Sequence, residues 1–304
     1  MVIEPDCIPC IFRMAVSGLR ELDADSATTR ELCGKIASLP AMAGKSWDVT
    51  SPRVIEQVMV LFNEALGDED PFRRVKENQN RAMLRLSPAL KEDLSRASDP
   101  LGLALHLAVL GNTIDLMLAN RPADLETAIR GKLETPLPEN IGRGFKDRLE
   151  AAGRIVYLAD NCGEIVLDAL LLKEILRRHD ARITLVVRSV PAMNDVTLKE
   201  AATVGIPSGV RVVENGMNGP YPGTCLERCS PEVREIVTGA DLIISKGGGN
   251  FDSLSEEDPS VTGKTLFILL SKCRPYCDFF GASMLEPVIA QGLKSKRAPS
   301  HAPV

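Results

Sequence analysis

Aromatic residues are scarce in this sequence, and their scarcity limits what the protein can bind. Phe, Trp and Tyr make up 4% of the 304 residues, with a single Trp. Proteins that hold single-stranded nucleic acids stack the bases on aromatic side chains, so this class of partner is disfavoured. The sequence also lacks a block of basic residues, and its formal net charge is −5. Because binding to a phosphate backbone needs the opposite balance of charge, we expect no nucleic-acid partner.

We also expect neither a leader nor a membrane span. The start, M-V-I-E-P-D-C, has no basic region followed by an apolar core, so we expect no signal peptide. The most apolar stretch, residues 101–118, is interrupted by His106, Asn112 and Asp115, which indicates a buried helix. Eight cysteines in so long a chain do not resemble a small disulfide-rich scaffold. We therefore expect a cytoplasmic protein with reduced thiols and no membrane partner.

The first half of the chain has the apolar spacing of helices and no series of strands. Helices are predicted in five segments separated by prolines: 8–22, 27–37, 54–66, 72–86 and 101–118. A sixth helix is predicted at 123–133. The segment 135–144 is rich in turn-forming residues and is predicted to be a linker. We therefore predict an all-α domain over residues 1–150.

From about residue 150, short apolar runs alternate with helical patterns. Strands are predicted at 155–158, 183–187, 210–213, 242–245 and 266–270, and helices at 164–179, 196–204, 231–238 and 281–291. This alternation predicts βαβ units, and hence an α/β domain with a parallel sheet over residues 151–292. The polar last stretch, 293–304, is predicted to be a flexible tail.

Two aspartates that each follow a predicted strand form the first candidate site. Asp160 and Asp195 are 35 residues apart, about one βαβ unit. If their strands are neighbours, about 4.8 Å apart, the carboxylates converge at the sheet edge where α/β proteins bind ligands. With the amide oxygen of Asn161 they would suit a Mg²⁺ or Mn²⁺ ion. Alternatively, Asp195 only caps a helix beginning at Val196, and Asp160 only closes a turn.

A glycine-rich segment, I-S-K-G-G-G-N-F, follows another predicted strand. Its glycines would let backbone N–H groups approach an anion, and Lys246 offers a positive charge for phosphate. The segment matches neither common phosphate-binding fingerprint, and by itself it would be read as a flexible turn. Beside the two aspartates it favours an anion cradle, with Gly247, Gly248 and Asn250 as candidate contacts. A metal and an anion cradle together suggest a phosphate ester.

Four further polar residues are weaker candidates for substrate binding. Arg188 could bind phosphate through two N–H groups, or it could pair with a carboxylate at a strand end. Glu164 lies in the first turn of a predicted helix, where the helix dipole favours a carboxylate without any further role. Asn112 and Asp115 share one helix face, and they either form a structural hydrogen bond or contact the substrate.

A C-x-x-C pair, Cys7 and Cys10, opens the chain. It begins a helical segment rather than following a strand, which weakens the prediction of a thioredoxin-like redox motif. A zinc site formed with one distant cysteine is a second possibility. Buried, unreactive thiols are the simpler prediction.

With these residues in view, the sequence resembles the family long called domain of unknown function 89, now described as damage-control, metal-dependent phosphatases. The resemblance covers most of the chain and is strongest to the small prokaryotic branch. It rests on six motifs in order: C-I-P-C, D-P-F-R-R-V-K-E-N-Q-N, G-N-T-I-D, D-N-C-G-E, R-S-V-P-A-M-N-D-V-T and A-D-L-I-I-S-K-G-G-G-N-F-D-S-L. Six ordered motifs are far more specific than any one alone.

The resemblance implies an N-terminal helical domain against a Rossmann-like α/β domain. It implies a divalent ion (Mn²⁺, Co²⁺, Ni²⁺ or Mg²⁺) held by Asp160, Asn161 and Asp195, with Lys246 facing the phosphate. Family members hydrolyse phosphomonoesters of sugars and damaged metabolites, so the expected partner is a small phosphorylated metabolite. Relatives often have glutamine where this chain has Gly248, which puts a side-chain contact there in doubt but not the backbone cradle.

The resulting hypothesis is metal-assisted phosphoryl transfer. The ion would polarise a phosphoryl oxygen, while Lys246 and the loop amides stabilise the developing charge. Asp160 or Asp195 would orient a water or become phosphorylated. One alternative is a methyltransferase that uses S-adenosylmethionine, which is disfavoured because D-N-C-G replaces a glycine-rich turn after the first strand. Another is a non-catalytic sensor that binds a metal or a metabolite. The substrate, the preferred ion and the oligomeric state stay open.

Overall fold

The computed structural model of the chain describes residues 1–112, 125–135 and 137–291. Within these ranges the first half of the chain contains seven α-helices: α1 Cys7–Glu21, α2 Ser26–Ser38, α3 Ser51–Leu66, α4 Arg73–Arg96, α5 Pro100–Gly111, α6 Leu125–Leu133 and α7 Glu139–Glu150. The helices predicted before residue 112 are confirmed, with shifted ends. Asp115 and the predicted tail lie outside the described residues.

Local chemistry explains several of these helix boundaries. Asp25 precedes α2 and accepts hydrogen bonds from the backbone N–H groups of Ala27 and Thr28, so it caps the helix. Helix α4 continues through Pro88 to Arg96, ten residues beyond its predicted end. Helix α7 begins inside the segment predicted to be a linker, so that prediction is wrong over the second part of the segment.

A six-stranded sheet forms the centre of the molecule. Its strands are β1 Arg154–Leu158, β2 Arg182–Val187, β3 Val210–Glu214, β4 Leu242–Lys246, β5 Thr265–Leu270 and β6 Pro287–Gln291. They lie in the order β3-β2-β1-β4-β5-β6, and only β6 is antiparallel to its neighbour. This is the strand order of Rossmann folds, and the predicted α/β class with a largely parallel sheet is confirmed. The order reverses between β1 and β4, where such sheets bind ligands.

The remaining helices connect the strands: α8 Glu164–Arg178, α9 Leu198–Ala201, α10 Pro231–Thr238, α11 Gly247–Leu254, α12 Pro259–Thr262 and α13 Arg274–Phe280. The helix predicted at 281–291 is wrong, because residues 287–291 form the edge strand β6. Pro287 is the first residue of this edge strand, a position where the missing N–H of proline is tolerated. The glycine-rich segment is not a flexible turn, because its first three residues end β4 and the rest begin α11.

Three apolar cores stabilise this arrangement. Helices α1 to α3 share one core, which includes Leu19 and Phe62. A second core covers one face of the sheet and joins it to α4, α5, α7 and α8. A third covers the opposite face around Phe251 and Phe267. Since α4 to α7 share their core with the sheet, the division of the chain near residue 150 stays a prediction. No helix in the described ranges combines the length and apolarity that crossing a membrane requires.

Candidate active site

Parallel strands bring three separate chain segments to one edge of the sheet. Asp160 and Asn161 follow β1, Asp195 lies in the connection after β2, and Gly247 comes directly after β4. Asn161 and Asp195 pair as an isolated bridge, and the N–H of Val196 donates to the carbonyl of Asp160 at 2.9 Å. The convergence of the two aspartates was expected if their strands were neighbours, and β1 does pair with β2.

Asp195 does not cap the helix that follows it. That helix begins at Leu198, and Thr197 forms the capping box with Glu200. The alternative interpretation of Asp195 as a helix cap before Val196 is therefore wrong. Its carboxylate is instead turned toward the buried side chains at the sheet edge.

Asp160 lies at the centre of a buried hydrogen-bond network. Its Oδ2 accepts from Asn112 Nδ2 at 3.1 Å and from Asn161 Nδ2 at 2.6 Å. Burial, with nearby Glu164 and Asp195, raises the pKa of Asp160 well above its ordinary value. Because the amide nitrogen of Asn161 faces this carboxylate, its carbonyl oxygen points away from it. Asn161 thus keeps an oxygen that could bind an ion.

Arg188 is buried between the two aspartates. Its Nε donates to Asp195 Oδ2 at 2.7 Å, its Nη1 donates to Thr224 Oγ1 at 3.2 Å, and its Nη2 lies 3.9 Å from Asp160 Oδ1. Burial raises the pKa of Asp195, and Arg188 lowers it in part. Of the two interpretations left open for Arg188, the structure shows the pairing with carboxylates at the strand ends.

Lys246 is turned into the protein interior. Its buried Nζ donates to Glu164 Oε1 at 2.6 Å, to Asp168 Oδ1 at 2.6 Å and to the carbonyl of Ala108 at 2.8 Å. These bonds use all three hydrogens of the ammonium. Burial lowers the pKa of Lys246, but Asp168 and Glu164 outweigh this effect and raise it. Contrary to the expectation that Lys246 faces a phosphate, this structure gives it a charge-neutralising role beneath the site.

Gly247 allows the close approach of Asp160 to α11. Its φ is +76°, and a Cβ at this position would lie 1.9 Å from Asp160 Oδ2. No other residue fits here without displacing the carboxylate. At Gly248, a Cβ would lie 2.5 Å from the hydroxyl oxygen of Tyr276, which accounts for the lack of a side chain there.

Asn250 has a structural role in these contacts. Its Nδ2 donates to the carbonyls of Ala159 and Lys246 at 2.9 and 2.8 Å, and its Oδ1 accepts from Thr224 Oγ1 at 2.8 Å. It therefore ties the ends of β1 and β4 together. The contacts that Asn250 makes in this structure are with other parts of the protein, whereas the sequence predicted a contact with substrate.

Sequence reasoning missed two sets of residues around the site. Asp168 lies one helical turn after Glu164, and this i, i+4 spacing was the available signal. Helix α4 supplies Asn80, whose Oδ1 accepts from Gly163 N at 2.6 Å, and Gln79, whose Oε1 accepts from Asn194 Nδ2 at 3.2 Å. These two residues hold the loops that carry Asp160 and Asp195, and they belong to the D-P-F-R-R-V-K-E-N-Q-N motif.

A cleft opens beside the aspartates, with a volume of about 830 Å³ including the part open to solvent. One side is formed by Asp160, Asn161 and Asp195. The other side comes from α1, α3, α11 and the start of α13, and it includes Cys7, Cys10, Ser51, Asp252, Lys272 and Tyr276.

The thiols in this cleft are protonated at neutral pH. Burial raises the pKa of Cys7 to about 11 and also raises that of Cys10. All eight cysteines are free. Across the described residues, no group of three His, Cys, Asp or Glu side chains is arranged to hold a metal ion. The structure therefore gives no support to a zinc site built on Cys7 and Cys10.

The charge of the site fits a divalent cation. Two buried cations, Lys246 and Arg188, face four buried carboxylates, so two negative charges are in excess when all are ionised: Asp160, Glu164, Asp168 and Asp195. Oxygen donors suit a hard ion. Two carboxylates and one amide oxygen would leave the other positions of such an ion to waters and a substrate oxygen.

Comparisons with known proteins identify the family of this chain. The family model described as the damage-control phosphatase ARMT1-like domain matches residues 3–288. A damage-control phosphatase of Pyrococcus horikoshii is 30% identical over 274 residues, covering 90% of this chain and 92% of that protein. One of Archaeoglobus fulgidus is 30% identical over 224 residues, covering 73% of this chain and 75% of its own.

A solved structure shares the fold. The crystal structure of a DUF89 family protein from Pyrococcus horikoshii superposes with a TM-score of 0.81 at 24% identity, covering 96% of this chain and 99% of that one. The resemblance predicted from six sequence motifs is confirmed. This chain belongs to the damage-control phosphatase ARMT1-like family.

Proposed function

We propose that the protein is a divalent-metal-dependent phosphomonoesterase that acts on small phosphorylated metabolites, either sugar phosphates or damaged phosphometabolites. Its family and the names of two relatives support a phosphatase. The observation that carries the proposal is the pair of buried carboxylates, Asp160 and Asp195, at the cleft. They belong to a buried cluster of four carboxylates and two cations, which has two negative charges in excess when all are ionised. Eight free cysteines support a reducing compartment such as the cytoplasm.

Asp160, Asn161 and Asp195 would hold the ion, with Mn²⁺, Mg²⁺, Co²⁺ and Ni²⁺ as the candidates. When bound, such an ion polarises a phosphoryl oxygen and lowers the pKa of a coordinated water. Asp160 and Asp195 would also hold the attacking oxygen in place, which is the catalytic role that we propose for them. Gly247, at the start of α11, sets the distance between Asp160 and the N-terminus of this helix. The N–H groups at a helix N-terminus favour an anion.

The surrounding residues orient these carboxylates. Asn112 Nδ2 donates both to Asp160 Oδ2 and to Glu164 Oε2, at 3.1 and 3.2 Å. Arg188 fixes Asp195 from the opposite side. Such outer hydrogen bonds typically change metal affinity or activity by 10–100-fold when they are removed. We therefore assign Asn112, Glu164 and Arg188 to positioning the ligands rather than to direct contact with substrate.

Activity assays with controlled metal content test this proposal. The protein is stripped with EDTA and assayed on p-nitrophenyl phosphate and a panel of sugar phosphates, with Mn²⁺, Co²⁺, Ni²⁺ or Mg²⁺ added back one at a time. We expect no turnover without metal and recovery with at least one ion. Full activity in EDTA would refute the metal requirement, and binding of an ion without turnover of any ester would favour a sensor.

A further inference from the structure

Asn194 is a buried amide beside the candidate metal ligands that the proposed chemistry does not use. It lies in the connection after β2, is 1% exposed and lines the cleft together with its neighbour Asp195. Its Nδ2 donates to Gln79 Oε1 at 3.2 Å, whereas its Oδ1 is buried and has no hydrogen-bond partner. A buried acceptor without a partner costs about 1–3 kcal/mol. Such an oxygen at a binding cleft is suited to a donor that is bound there.

The backbone fixes the place of this side chain. Asp195 N donates to the carbonyl of Ala192 at 2.9 Å and closes a tight turn, in which Met193 has a φ of +50°. Cys162 N donates to the carbonyl of Asn194 at 2.8 Å and ties this turn to the loop after β1. A left-handed residue other than glycine costs about 1–3 kcal/mol, and such strain is concentrated at functional sites. Asn194 is therefore held in one position beside Asp195.

The unpartnered oxygen is directed away from helix α4. The nitrogen and the oxygen of an amide point in different directions, and the nitrogen of Asn194 points to Gln79, which is not part of the cleft wall. The oxygen therefore faces the other way, toward the side of the cleft formed by Asp160, Asn161 and Asp195.

The chemistry of this oxygen restricts what it binds. A carbonyl oxygen accepts hydrogens and offers none. A phosphate group near neutral pH is negatively charged and presents acceptor oxygens, so it does not satisfy a second acceptor. A water molecule on a divalent ion is the opposite case, because the ion lowers the pKa of the water and makes its hydrogens strong donors. An ion held by few protein ligands keeps several waters, and one of them fits the Asn194 oxygen.

We infer that Asn194 is a positioning residue, whose side-chain oxygen accepts a hydrogen bond from a water molecule on the divalent ion. The inference rests on the proposed function, and it adds to the three candidate ligands a residue that orients one of the waters. Asn194 acts through this water, and it contacts neither the ion nor the phosphate.

Measurements on the Mn²⁺-loaded protein without substrate test this role. Calorimetry gives the Mn²⁺ affinity, and oxygen-17 relaxation of the solvent gives the number of waters on the bound ion and their exchange rate. We expect Asn194→Ala to bind Mn²⁺ about tenfold more weakly and to exchange the same number of waters severalfold faster. Asn194→Asp, which retains an oxygen, should bind Mn²⁺ at least as tightly as the wild-type protein. Asn78→Ala, which removes an exposed amide from α4, should leave all three quantities unchanged.

The outcomes separate this inference from the phosphatase proposal. Unchanged Mn²⁺ affinity and water exchange in Asn194→Ala, in a protein whose wild type hydrolyses phosphate esters, would overturn the role of Asn194 alone. Dependence of both quantities on Asn194, in a protein that hydrolyses no ester, would refute the phosphatase and support the inference. A larger number of waters in Asn194→Ala would show direct coordination by Asn194 and overturn the inference. Affinity as low in Asn194→Asp as in Asn194→Ala would show that the amide nitrogen matters, and it would overturn the inference as well.

Discussion

At the scale of single residues, the buried ammonium of Lys246 is shared by two carboxylates and one backbone carbonyl. The sequence predicted this lysine just after the fourth strand, and it is the last residue of β4, but its partners were not predicted. Asp168 lies on α8 and Ala108 on α5, and sequence spacing does not show which elements pack beneath a strand end. Asp160 and Asp195 could be predicted because both follow strands of a parallel sheet, whose ends share one edge.

Replacing Lys246 with methionine tests its role as a buried counter-charge. The variant leaves Glu164 and Asp168 buried without their cation, and breaking such a pair costs about 3–5 kcal/mol. We expect urea unfolding at pH 7 to show a loss of that size. Lys173→Met, which removes an exposed lysine from α8, should change stability by no more than about 0.5 kcal/mol. A loss below about 1 kcal/mol for Lys246→Met would contradict the assignment.

Asp252 predicts a pH dependence of stability. Burial raises its pKa from 3.8 to about 6, although the N-terminal ammonium, Ser51 and Tyr276 lower it in part. The native carboxyl therefore keeps its proton between pH 4 and 6, where the unfolded one has lost it, and its contribution to stability disappears as the pH rises through 6. A shift of this size corresponds to about 3 kcal/mol at most.

Asp252→Asn removes this ionisation. We expect the free energy of unfolding of the variant, relative to that of the wild-type protein, to increase from pH 4.5 to pH 7.5. Urea denaturation of both proteins at both pH values measures the change. A difference between the two proteins that is independent of pH would show that Asp252 titrates normally.

At the scale of secondary structure, the sequence predicted the buried strands better than the elements rich in glycine. Strands β1 to β5 are short apolar runs between helical patterns, and their existence followed from that alternation. Helix α11 was missed because three glycines begin it and glycine is a poor helix former. Strand β6 was missed because P-V-I-A-Q is short and apolar enough to suit a helix or a strand. Tertiary contacts decided both cases: Asp160 packs against the start of α11, and β5 pairs with β6.

Gly247→Ala tests whether α11 positions Asp160. A Cβ here would collide with the carboxylate, and its φ of +76° strains any other residue. We expect the variant to bind Mn²⁺ at least tenfold more weakly in calorimetry and to lose about 1–3 kcal/mol of stability. Gly131→Ala in α6, where a Cβ meets no atom within 4 Å, serves as the control and should leave metal binding unchanged. Normal Mn²⁺ affinity in Gly247→Ala would refute this role of the glycine.

At the scale of the whole molecule, the N-terminal helices complete the cleft that the sheet begins. Ser51 at the start of α3 donates to Asp252, 201 residues later, and Arg228 donates to both oxygens of Glu56 at 3.0 and 2.6 Å. These contacts join segments far apart in sequence. Sequence patterns within one segment could not reveal such contacts. The aspartate pair was therefore predicted, but the other side of the cleft was not.

The central claim is that the excess negative charge at Asp160 and Asp195 holds a divalent ion needed for phosphate-ester hydrolysis. The most direct test measures Mn²⁺ affinity and turnover together in Asp160→Asn, a change that keeps the shape and removes one charge. Asp180→Asn, an exposed carboxylate just before β2 at the opposite edge of the sheet, is the matched control.

Calorimetry and hydrolysis of p-nitrophenyl phosphate give the two readouts. The account predicts that Asp160→Asn binds Mn²⁺ at least a hundredfold more weakly and loses turnover, whereas Asp180→Asn retains both. An Asp160→Asn protein with full metal-dependent activity would contradict it.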